Sequence, residues 1–143
     1  MKNLILITAL SLGVSCANAQ KIKESEVPAP VKATLAKQFP TIEKVKWEKE
    51  GANYEAEFEV KEVETSALIN ATGNLIETEE EILVNSLPKE VAKYVSKNLS
   101  GAKIKEASKI TDAKGAITYE AEVNKADYLF DANGVFIKKM KGK

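Results

Sequence analysis

Glutamates occupy every second position of Tyr54-Glu55-Ala56-Glu57-Phe58-Glu59-Val60, and Tyr119-Glu120-Ala121-Glu122-Val123 repeats the pattern. Side chains two apart along a strand share a face, so each stretch lines up a row of carboxylates. Such a row has three chemical uses: an acid–base pair, oxygen ligands for a cation, or a charged surface for a partner. A glycosidase-type pair requires two acids in different environments, one with a raised pKa. Glutamates side by side on one strand share a single environment, so no catalytic residue is assigned. A helix–loop–helix calcium site requires glycine at position six of its loop and a bidentate glutamate at position twelve. Asn70-Ala71-Thr72-Gly73 and Asp131-Ala132-Asn133-Gly134 place glycine fourth, which is hairpin-turn chemistry. No metal ligand and no cofactor is assigned. The partner surface remains, beside a plainer reading in which the glutamates are the solvated side of a half-buried strand.

Composition narrows the choice further. The chain has no histidine, and all 21 of its basic residues are lysine. Without histidine it lacks the side chain that most often handles protons near neutral pH, and the commonest metal ligand. Without arginine it lacks the bidentate fork used on phosphates and base edges. The formal net charge is zero, which gives no basic footprint for nucleic acid. Charge is nevertheless uneven. Residues 20–81 carry 8 lysines against 14 acids, and residues 82–143 carry 12 lysines against 7 acids. The imbalance fits either drift on solvated faces or complementary docking of the halves or of two chains.

The first 19 residues read as a secretory signal peptide. Lys2 supplies the positive region, Leu4 to Val14 the apolar region, and Ala17-Asn18-Ala19 the small-residue cleavage box before Gln20. The alternative is a lipoprotein anchored through Cys16, but Gly13 stands where a lipobox has leucine. Cleavage after Ala19 predicts a periplasmic or secreted chain of residues 20–143 without a membrane span. It also removes the only cysteine, so the exported protein holds itself together by its core alone.

The elements that position the glutamates are written twice. Val27 to Phe39 aligns with Leu87 to Leu99 at an offset of 60, the tyrosine–glutamate stretches align at 65, and Leu68 to Ile76 aligns with Leu129 to Ile137 at 61. Each copy opens with a helix, near 30–39 and 88–99, whose apolar residues recur at i, i+4 and i+8: Val31, Leu35, Phe39 and Val91, Val95, Leu99. Pro30 and Pro88 fit first turns, Pro40 stops the first helix, and Gly101 suits the end of the second. The remainder has the period of strands: 43–49, 53–60, 63–70 and 74–80, then 103–111, 116–124, 125–131 and 134–140. The spacing predicts an α+β fold of two tandem α-β-β-β-β repeats, at about 27–81 and 87–140, within one domain over 20–143. Its hairpin-linked strands make a mostly antiparallel sheet with the helices packed on one face.

Alternation then assigns faces. Tyr54, Phe58, Ile69, Tyr119, Tyr128 and Phe130 are expected under the helices, and the glutamates on the other side, exposed to water. Trp47 is read as core or edge packing. Leu68 and Leu129 fall on the glutamate side at equivalent positions. Glu55, Glu57, Glu120 and Glu122 are therefore the candidate rim, and Leu68 and Leu129 the candidate apolar centre, of a partner-binding surface.

The strand Tyr54 to Val60 followed by Ile69-Asn70-Ala71-Thr72-Gly73-Asn74-Leu75-Ile76, and Tyr119 to Val123 followed by Phe130-Asp131-Ala132-Asn133-Gly134-Val135-Phe136-Ile137, resemble the PepSY pattern. Two such units behind a signal peptide resemble the PepSY-like, beta-lactamase-inhibitor-like proteins exported by Gram-negative bacteria. The resemblance implies a curved sheet and a non-enzymatic envelope protein that acts as a binding or inhibitor-like module. Its partner would be a protein, a peptide or a small envelope ligand. The alternative is a structural or cation-buffering envelope protein using weak carboxylate sites.

Overall fold

The computed structural model describes residues 19–141; the signal segment up to residue 18, Cys16 included, lies outside them. Nine strands follow one another in the sheet in chain order: β1 (Gln20–Ile22), β2 (Lys46–Glu50), β3 (Asn53–Val60), β4 (Val63–Asn70), β5 (Leu75–Glu81), β6 (Ile104–Asp112), β7 (Ile117–Val123), β8 (Ala126–Asp131) and β9 (Phe136–Lys141). Helix α1 (Ala29–Gln38) precedes β2, and α2 (Lys89–Asn98) precedes β6. This is the expected α-β-β-β-β unit written twice. β1 is an addition, pairing antiparallel with β2 through Ile22 opposite Trp47. Three residues give too short an alternation to be read as a strand. By compactness the chain divides into two units between Thr78 and Glu79, within β5.

In the first unit Val31 and Leu35 of α1 are buried, with Trp47, Ala56, Phe58, Ala67 and Ile69 beneath them. Phe39 ends the helix, its N–H donating to the Leu35 carbonyl at 2.8 Å, and its ring lies 4.7 Å from that of Phe58. Register explains the shared face: Trp47 lies opposite Ala56, Ala56 opposite Ala67, and Tyr54 opposite Ile69. The second unit repeats the arrangement with Val91, Val95, Ala121, Val123, Tyr128 and Phe130. There Tyr94 stacks on Phe136 at 4.6 Å and meets Phe130 edge-on at 5.4 Å. Phe39, Tyr54, Leu99 and Tyr119 pack at the margins of these clusters. Pro30 sits in the first turn of α1, whereas Pro88 is the residue just before α2 rather than inside it.

Turns set the strand registers. Asn70, Asp112 and Asp131 each use Oδ1 to accept backbone N–H groups two and four residues on. This closes the glycine-bearing hairpins that the sequence announces. Two other hairpins do without glycine. Lys61-Glu62 and Asn124-Lys125 take positive φ at both turn residues, the geometry that matches the twist of the flanking strands. Among the described residues no helix is long and apolar enough to cross a membrane.

Candidate functional site

Hairpin register builds the glutamate face. Gly51, at φ +57, closes the β2–β3 turn beside Glu50 and Asn53, and counting back along that ladder sets Glu48 opposite Glu55 and Lys46 opposite Glu57. On the other side of β3, Glu55 faces Leu68 and Glu57 faces Ser66. Residues directly opposite on neighbouring strands share a face. Glu48, Glu55 and Leu68 therefore form one row across β2, β3 and β4, and Lys46, Glu57 and Ser66 form the next.

The side assignment follows the alternation, but the expected exposure is corrected. Glu55 is 0% exposed, Glu48 3% and Leu68 1%; Glu57 is half-buried, and Glu59 is exposed. β4 is buried without a break from Ser66 to Ile69. Alternation tells which face a side chain takes. It does not tell how closely the long side chains of cross-strand neighbours crowd around it, and their aliphatic stems can cover a leucine between them. One carboxylate oxygen from each of Glu48, Glu55 and Glu57 lies within 4.8 Å of the other two. Burial pushes the Glu57 carboxyl above its usual range, and Glu48 nearby pushes it the same way, against the opposing pull of Lys46 and Lys21.

The second unit places its candidates on the same pattern with different chemistry. Glu120 lies opposite Leu129 on one side and Ser108 on the other; Glu122 lies between Asp127 and Glu106. Leu129 is 2% exposed, so it too is buried rather than presented, while Glu120 and Glu122 are half-buried. A register shift between Ile104 and Glu106 interrupts the alternation at Lys105. Its ammonium reaches Glu106 at 3.3 Å and Glu122 at 3.4 Å. The hydrogen bond to Glu106 is the main cause that holds the Lys105 pKa above its usual value. Lys109 pairs with Glu80 on the neighbouring part of the unit.

Within each unit, then, the predicted residues meet: Glu55 with Leu68, and Glu120 with Leu129. Sequence reasoning missed Glu48, Ser66 and Ser108. Trp47 in the core already implied that Glu48 faces the other way, and the Gly51 hairpin fixed its register against Glu55. The burial of Glu48, Ser66 and Ser108, like that of Glu55 and Leu68, had no sequence signal.

The family model for beta-lactamase-inhibitor-like, PepSY-like proteins matches residues 14–77 and again residues 61–138. Among curated proteins none matches the sequence. Solved structures share the fold. A DUF2874 family protein of Bacteroides uniformis superposes with a TM-score of 0.70 at 21% identity, covering 78% of this chain and 87% of that one. A protein of Bacteroides eggerthii, provisionally described as periplasmic, gives 0.71 at 16% identity, covering 80% and 88%. A BLIP-like protein of Bacteroides fragilis gives 0.66 at 20% identity, covering 81% and 89%. With two matched segments spanning nearly the whole of both repeats, the chain belongs to the PepSY-like, beta-lactamase-inhibitor-like family.

Proposed function

We propose that the protein is an exported, non-enzymatic binding module of the inhibitor-like kind. It acts in the periplasm or outside the cell after cleavage between Ala19 and Gln20. Its recognition surface is the glutamate–leucine side of the sheet strands, and its partner is a protein or peptide that offers a cationic group.

The observation that carries this reading is the row Glu48, Glu55 and Leu68, all at most 3% exposed on the face away from the α1 core. Acids removed from water cost stability unless they are compensated. These three add nothing to the helix-side cluster that holds the unit together. Departures from local folding rules of this kind are expected where function resides. Half-buried Glu57, Glu120 and Glu122 present the charge that steers a basic partner, over a layer that buried Leu68 and Leu129 fill from within. The absence of histidine and arginine from the chain weighs against catalysis. The family and the BLIP-like relative support a protein-binding role.

The test is affinity capture from the native envelope, with the exported chain as bait. Parent, the pair Glu57→Lys with Glu120→Lys, and Lys97→Glu on the exposed side of α2 are compared. Capture lost by the glutamate pair and kept by Lys97→Glu supports the reading. Capture unaffected by the pair but lost by Lys97→Glu moves the surface to the helix side and refutes it.

A further inference from the structure

We infer that Glu48, Glu55 and Glu57 form a site for one hard divalent cation of calcium's size, present in the first repeat only. The three carboxylate oxygens lie within 4.8 Å of one another. Three atoms no farther apart than that all lie within about 2.8 Å of a common centre, close to the ~2.3–2.6 Å of calcium–oxygen bonds, so small side-chain adjustments bring all three onto a single ion. The donors are all anionic oxygen, without nitrogen or sulfur, which selects calcium or magnesium over softer metals. Magnesium demands a regular octahedron at ~2.1 Å and gives up its water reluctantly, so carboxylates fixed on two neighbouring strands suit calcium's more flexible coordination better.

Proximity of acids alone does not make a site, and the decisive observation is the state of the buried polar atoms around it. Glu48 Oε2 and Glu57 Oε1 are shielded from solvent and have no hydrogen-bond partner. Ser66 is 6% exposed, its Oγ is likewise without a partner, and it lies directly opposite Glu57 on the same face. Buried polar atoms are nearly always satisfied, so unsatisfied oxygens on three neighbouring residues of one sheet face indicate a missing ligand. Lys21, opposite Glu48, and Lys46, opposite Glu57, share the face. Both are exposed, so their ammonium groups balance the cluster from the solvent side and leave its interior to an ion.

The second repeat acts as an internal control. Ser108 stands opposite Glu120 where Glu48 stands opposite Glu55, which removes one of the three carboxylates. Glu106 stands at the register position of Lys46, and bulged Lys105 binds both Glu106 and Glu122. In that copy a lysine supplies the positive charge. In the first copy the same strand geometry supplies a third carboxylate, and a cation from solution supplies the charge. This inference does not depend on the partner-binding reading, because an ion can occupy the cluster whether or not a protein docks beside it.

The experiment is calorimetric titration of the exported chain, freed of metal by a chelator, with calcium chloride and separately magnesium chloride, paired with thermal melts. Calcium should bind at one ion per chain, in the range of ~10⁻⁴–10⁻³ M found for extracellular modules, and raise the melting temperature. Magnesium should bind at least about tenfold more weakly. Glu48→Gln should weaken calcium binding about tenfold or more while melting no lower than the parent in chelator, because it removes a buried charge. Glu122→Gln should bind calcium like the parent. Should Glu48→Gln fail to fold, Glu57→Gln at the half-buried position gives the same reading. No saturable binding and no change in melting up to about 10 mM calcium overturns the site, as does parent-like affinity in both Glu48→Gln and Glu57→Gln. The partner-capture result would stand unaffected.

Discussion

Gly73 and Gly134 hold the two helices onto their sheets, and replacing either by alanine should reveal how closely. At Gly73 the backbone takes φ +88, and an added Cβ would lie 2.8 Å from the Pro30 carbonyl oxygen. At Gly134 φ is +81, and the Cβ would lie 2.9 Å from Pro88 Cβ and 3.0 Å from Glu90 Cβ. The turn between the last two strands of each repeat thus presses against the first turn of its helix. In the first repeat Thr34 Oγ1 fastens the contact by donating to the Gly73 carbonyl at 2.6 Å. A non-glycine residue in the left-handed region costs about 1–2 kcal/mol, and forced overpacking adds about 1–3 kcal/mol. Gly73→Ala should therefore lose about 2–5 kcal/mol. Gly115 provides the control: its φ is +84, yet nothing lies within 4 Å of an added Cβ, so Gly115→Ala should lose only the backbone share, about 1–2 kcal/mol. Urea unfolding of the exported chain, followed by circular dichroism, measures both. With a slope of about 1–3 kcal/mol per molar, the overpacking share of about 1–3 kcal/mol should separate the two midpoints by roughly 0.3–3 M. Equal midpoints would show that the helix and turn are not in contact, and the account of how α1 is seated would fail.

Phe58→Ala should cost about 3–5 kcal/mol, since Phe58 is 5% exposed beneath α1 and in ring contact with Phe39. The same urea series reads it, and a loss under about 1 kcal/mol would contradict its place in the core. Asp112 accepts backbone N–H groups first from Ala116 and then from Lys114, which lowers its pKa below the ordinary 3.8. Its contribution is therefore present above about pH 4 and lost as pH falls through the lowered value. Asp112→Asn should flatten the acid limb of a stability–pH curve, and an unchanged limb would contradict the assignment. We also propose that residues 20–143 form a single domain. Residues 20–84 expressed alone should then melt well below the full chain, and a cooperative melt at the full-chain temperature would refute this.

The repeats, both helices and eight of the nine strands were legible because their signals are local: apolar residues four apart, alternation, and turns built on Asn70, Asp131 and their glycines. The face of each glutamate was legible for the same reason, since Trp47 and Tyr54 in the core send Glu48 and Glu55 to the other side. Exposure was not legible. Leu68 and Glu55 are closed over by neighbours on other strands, and the degree of closure depends on distances between strands that no single stretch encodes. The difference between the repeats was visible only after the registers were known. Ser108 in place of Glu48, and Lys105 turned onto Glu122 at a bulge, are pairings across strands rather than motifs along one.

The central claim is that the glutamate-bearing side of the sheet, and not the helix side, meets the partner. Photo-cross-linking in living cells tests it most directly, with a photoreactive benzoylphenylalanine placed in turn at Glu57, Glu120, Lys37 and Lys97. Lys37 and Lys97 are exposed residues in the last turns of α1 and α2. The account predicts light-dependent adducts of one discrete mass from positions 57 and 120, and none from 37 and 97. Adducts from the helix positions alone would contradict it.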